Sequence, residues 1–69
     1  MAGETFMLKA GDTVTIPADN FIFVATGIAD STTIQNLVAP NLFLAPQDET
    51  LTAVTDTMVL MISYVPTSA

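Results

Sequence analysis

Histidine, cysteine, tryptophan and arginine are absent from this 69-residue chain, and lysine occurs once, as Lys9. Without cysteine no disulfide can staple the fold. Without cysteine or histidine the usual ligands of a structural zinc are missing as well. Acid–base and nucleophilic catalysis draw mostly on His, Cys, Lys and partnered carboxylates, so no enzymatic activity, cofactor or metal is expected. Seven acids against one base give a formal net charge of −6. That balance leaves no basic patch for a phosphate backbone or for an anionic bilayer, and neither nucleic acid nor membrane is expected as a partner. The longest apolar run, at residues 58–62 and extending to Val65, is far shorter than the roughly 20 residues of a spanning helix. No basic stretch followed by an apolar one opens the chain, so synthesis in a cytoplasm is expected.

What is present is the vocabulary of packed strands. Hydrophobic residues make up 51% of the chain, and threonine is interleaved with Val, Ile, Leu, Phe and Met throughout. Turn residues recur at short intervals: Ala10-Gly11-Asp12, Pro17-Ala18-Asp19-Asn20, residues 27–31, Ala39-Pro40-Asn41, residues 46–49 and Thr55-Asp56. The segments between them have the length of strands. This pattern predicts one all-β domain over residues 1–69, with short tails at 1–4 and 66–69. Its architecture is a small sandwich or barrel of about six to seven short antiparallel strands.

Alternation predicts which side chains share a face. Phe6 and Leu8 lie together, and Val14 and Ile16 point away from Thr13 and Thr15. Gly11 offers the positive φ of a tight hairpin joining these two runs, and Pro17 ends the second. Leu42 and Leu44 share a face around Phe43, and Leu51 and Ala53 oppose Thr50 and Thr52. Residues 31–39 fit either a strand or a short helix capped by Asp30 or Ser31, and the Thr and Asn content favours strand or irregular structure. The acids Asp12, Asp19, Asp30, Asp48, Glu49 and Asp56 fall at expected turns, where such residues hydrogen-bond nearby backbone. They lack the spacing of a calcium loop. Lys9 is expected to solubilise an edge strand.

Two runs are apolar on both faces. Phe21 and Phe23 oppose Ile22 and Val24, while Met58, Leu60, Ile62 and Tyr64 oppose Val59, Met61, Ser63 and Val65. Such strands require cover on both sides. A domain of this size buries only about 60% of its unfolded surface and usually needs a supplement. With disulfides and zinc excluded, oligomerisation or docking onto a larger partner remains. The expected interface residues are therefore Phe21, Ile22, Phe23, Val24, Met58, Val59, Met61 and Tyr64.

Two resemblances follow from particular residues. Leu8-Lys-Ala-Gly-Asp-Thr-Val-Thr-Ile-Pro17 resembles the Gly-Asp hairpin of cupin-type jelly rolls, although the histidines of that family are missing and its metal chemistry cannot be carried over. Taken whole, the chain resembles small structural proteins of tailed bacteriophage particles, of the capsid decoration or cement type. That resemblance rests on the Met-Ala-Gly start, the Thr-rich alternating strands, Leu51-Thr-Ala-Val-Thr-Asp-Thr57, the 58–64 run and the Pro66-Thr-Ser-Ala69 end. It implies a homo-oligomer, a trimer foremost, seated on a major capsid protein at the virion surface and clamping the shell. The alternative is a tail-fibre or spike-like module that recognises a host-surface glycan or protein.

Overall fold

In the computed structural model, which describes residues 3–63, eight strands follow one another: β1 (Gly3–Leu8), β2 (Thr13–Ile16), β3 (Asn20–Thr26), β4 (Ile28–Asp30), β5 (Leu37–Val38), β6 (Asn41–Leu44), β7 (Glu49–Ala53) and β8 (Thr57–Ser63). None of the described residues is helical. The expected all-β sandwich is what forms. Its strand number exceeds the expectation because residues 28–30, expected within a turn, form β4, and because a two-residue strand, β5, lies within residues 31–39. Gly3 and Glu4, expected in a tail, belong to β1.

The strands form two four-stranded sheets, one in the order β1-β8-β3-β6 and the other β2-β7-β4-β5. Every pairing is antiparallel, and β1 pairs with β8, β2 with β7, β3 with β6 and β4 with β5. The first four strands thus run as one long ribbon beside the last four in reverse, with residues 31–36 as its turn. Rolled up so that its successive strand pairs (β1/β8, β2/β7, β3/β6 and β4/β5) fall in alternate sheets, the ribbon has the strand order of a jelly roll.

This topology corrects the expected hairpin at residues 8–17. β1 and β2 do not pair; they lie in different sheets. Gly11, at φ 94°, sits in a corner that carries the chain from one layer to the other. The corner docks on β7, where Gly11 N donates to the Ala53 carbonyl at 2.8 Å and Ala53 N donates to that of Asp12 at 2.9 Å.

The expected facing of the strands holds. Phe6 and Leu8, Ile22 and Val24, Phe43, and Val59 and Met61 project from the first sheet towards Val14 and Ile16, Leu51 and Ala53, and Leu37 of the second. Ile16, Ile22, Val24, Leu51 and Val59 are fully buried at the centre. The layers join at sharp corners. Between Val24 and Thr26 the β3–β8 register slips by one residue, a bulge of the kind that bends a strand out of its sheet. Gly27 follows at φ 77°. Immediately beyond it the chain enters the second sheet as β4.

Candidate interaction surface

The two sheets treat their solvent sides differently. On the second sheet the outward rows of the β2–β7 pair are Thr13 opposite Thr52 and Thr15 opposite Thr50, with the Thr15 and Thr50 hydroxyls 3.1 Å apart. Those side chains fit a pleated surface and hydrogen-bond to water, as a strand face exposed to solvent requires. Only the short β4–β5 pair adds apolar residues, Ile28 and Val38.

The outer side of the first sheet is mostly apolar. Because facing residues in an antiparallel pair project to the same side, its register defines two rows across all four strands. One row is Leu42 (β6), Phe23 (β3), Leu60 (β8) and Thr5 (β1). The next is Leu44, Phe21, Ile62 and Gly3 in the same strand order. Met7 and Met58 pair beyond the first row. No charged residue falls in either row. Leu42 is 59% exposed, Leu44 42% and Met7 74%, while Phe21, Phe23, Met58, Leu60 and Ile62 are half-buried. An exposed apolar sheet face of this extent marks a contact surface more often than chance exposure.

The expected interface set is therefore divided by the fold. Phe21, Phe23 and Met58 lie on the outer face. Ile22, Val24 and Val59 are fully buried between the sheets, and Met61 packs against that core. A partner cannot reach the three buried residues, because the second sheet already covers the inner side of both two-faced runs. Tyr64, like the 66–69 tail, lies outside the described residues. Met7, Leu42, Leu44, Leu60 and Ile62 are the apolar face residues missing from the expected set, although alternation had already placed each of these leucines and the isoleucine on one side of its strand.

Five of the acids expected at turns stay outside the core, Glu49 being the exception. Only Asp12 accepts from within its own turn; Asp48 and Asp56 accept from turns distant in the chain, and Asp30 ends a strand rather than a turn. Asp12 accepts from Lys9 N (3.0 Å), Asp48 from Ala18 N (2.9 Å), Asp56 from Ala10 N (3.1 Å) and Asp30, at the end of β4, from Asn36 N (2.8 Å). Asp19 occupies the left-handed region at φ 67°, which aspartate tolerates. Among the described residues no three acids converge to hold a metal ion. Lys9 follows β1, an edge strand of the first sheet, and stands exposed.

Glu49 is the exception and corrects the expectation of a turn acid. It begins β7 opposite Ile16, on the same inward face as Leu51, and is 0% exposed. The Thr33 hydroxyl donates to its Oε2 at 3.0 Å, while Oε1 is buried without a partner. The contact ties the 31–36 loop down, together with Thr50 N donating to the Thr32 hydroxyl at 2.7 Å. A buried polar atom left unpaired costs on the order of 1–3 kcal/mol. Glu49→Met retains an unbranched side chain and leaves the exposed Thr33 hydroxyl to water. It is expected to raise unfolding stability by about 1–2 kcal/mol, read from the midpoint of urea unfolding at constant m.

Comparison with known proteins finds no matching family model, no matching curated sequence and no matching solved structure.

Proposed function

We propose that the protein is a non-enzymatic structural component of a virus particle, a decoration or cement protein that associates with itself and with a major capsid protein and holds the shell together. The uncharged apolar outer face of the first sheet carries this reading. It is a surface suited to burial against a partner, on a chain that lacks histidine, cysteine and arginine. The jelly-roll order agrees with it, since that architecture is used in capsid and lectin domains as well as in cupins, although a fold alone does not decide function. The cupin use needs metal-binding histidines, which the chain lacks.

Mechanically, such a protein works by burying apolar strand faces and by pairing main chain at the exposed edges of β1, β6, β2 and β5. No turnover is involved. Purified protein mixed with undecorated shells is expected to co-sediment with them at a fixed stoichiometry and to raise their temperature of disruption. Absence of both effects overturns the proposal.

A further inference from the structure

We infer that the outer face of the first sheet is a two-fold interface between two copies of this chain, stacked sheet on sheet. The inference rests on reading this face as adhesive, as above, and names what covers it.

The shape of the face identifies the occupant. Bulk is unevenly distributed across the strands. The β6 and β3 side carries Leu42, Leu44, Phe21 and Phe23, whereas the far edge, β1, offers only Thr5 and Gly3 in the same two rows. Within these two rows the surface is therefore high on one side and low on the other, Met7 of β1 standing beyond them. A two-fold axis lying in the interface, parallel to the strands and between β8 and β3, places β6 of each copy over β1 of its mate. The leucines of one copy then fill the space above Thr5 and Gly3 of the other, and the phenylalanines meet Leu60 and Ile62. An isologous contact requires this kind of self-complementarity.

Charge points the same way. Each copy carries a net charge of −6, so most mutual approaches are repulsive. This face has no charged residue in its two rows, and stacking through it keeps the turn carboxylates at the rim. A basic partner would find nothing here to pair with. Size permits a weak contact. Strands of six, seven, seven and four residues spaced about 4.8 Å apart cover roughly 400 Å². Two such faces together remove about 800 Å² from water, below the ~1,000 Å² of stable specific interfaces and in the range of weak, reversible ones. A reversible dimer in the micromolar range is expected, strengthened by salt as the rim carboxylates are screened.

Light scattering across a dilution series, with no shell present, tests this directly. Wild-type protein is expected to give the mass of two copies, falling to one on dilution. Leu42→Lys removes an apolar contact while lowering the net negative charge, and is expected to weaken the dimer at least about tenfold. Thr5→Trp is the sharper variant. It adds apolar surface to an exposed strand position but fills the low side, so the dimer weakens, whereas indiscriminate stickiness would increase. Val54→Lys, in an exposed turn away from the face, leaves the mass unchanged, and far-UV circular dichroism checks that each variant is folded. A wild-type monomer at every concentration, a stable mass other than two copies, or a dimer indifferent to Leu42→Lys and Thr5→Trp each overturns the inference. Shell co-sedimentation is read separately, so a monomer that still decorates shells refutes the two-fold stack and leaves the proposed function standing.

Discussion

Gly27→Val is expected to abolish cooperative folding. At φ 77° any residue with a β-carbon is strained by about 1–2 kcal/mol, and the space is already taken. A β-carbon there would overlap the Asp56 carbonyl oxygen and lie 2.7 Å from the Thr55 hydroxyl and 2.8 Å from that of Thr57. Neither hydroxyl is free to move. Thr55 Oγ1 accepts from Ile28 N at 2.9 Å, and Thr57 Oγ1 donates to the Ile28 carbonyl at 3.0 Å. Together they clip the first residue of β4 to the turn before β8. Displacing them unfastens the corner through which β3 leaves one sheet and β4 enters the other. The expected loss exceeds about 4 kcal/mol, against a total of about 3–10 kcal/mol for a domain of this length. Gly11→Ala is the matched control. Its φ is also positive, at 94°, but a β-carbon there meets nothing within 4 Å, so only the backbone cost of about 1 kcal/mol is expected. Urea unfolding followed by circular dichroism separates the two. A Gly27→Val protein as stable as Gly11→Ala would disprove the crowded corner.

The glycines also show where sequence reading stops. Both were legible as turn residues, and both turn. What each turn joins was not legible, because a positive φ serves a hairpin and an interlayer corner equally well. Alternation is a local property of a strand and survives any topology, which is why the inward sets at Phe6 and Leu8, Val14 and Ile16, and Leu51 and Ala53 were readable. Pairing is not local. β1 meets β8 with Gly3 opposite Ile62, and no feature of residues 3–8 names a partner so distant. The same limit explains the interface. That residues 21–24 and 58–62 are apolar on both sides was plain, but which side faced a second sheet of the same chain depended on the rolled ribbon. Glu49 is a different case. Extending the Leu51–Ala53 alternation back by one step places it inside, and its acidic type outweighed that periodicity in favour of a turn.

The division of the two-faced strands has a quantitative consequence at neighbouring residues of β3. Ile22 and Phe23 are adjacent and both apolar, and sequence alone ranks the larger Phe23 as the costlier to lose. The fold reverses that order. Ile22 is fully buried between the sheets, so Ile22→Ala removes packed methyl groups from a site with no water to replace them, at a cost of about 2–5 kcal/mol. Against a total of about 3–10 kcal/mol that is about half of the stability, and the urea midpoint of the variant is expected to fall accordingly. Phe23 lies half-buried on the outer face, between Leu42 and Leu60. Phe23→Thr gives it the side chain that the second sheet uses on its own solvent side, where Thr13 and Thr15 alternate with Val14 and Ile16. At protein concentrations low enough to be monomeric, the lost cross-strand contacts amount to about 1 kcal/mol. At higher concentrations the Phe23→Thr deficit should grow, because the wild type gains stability from association and the variant does not. The Ile22→Ala deficit should change far less. Unfolding curves at two protein concentrations therefore distinguish a core residue from an interface residue at consecutive positions. Equal deficits that both ignore concentration would mean that the outer face stays open to water.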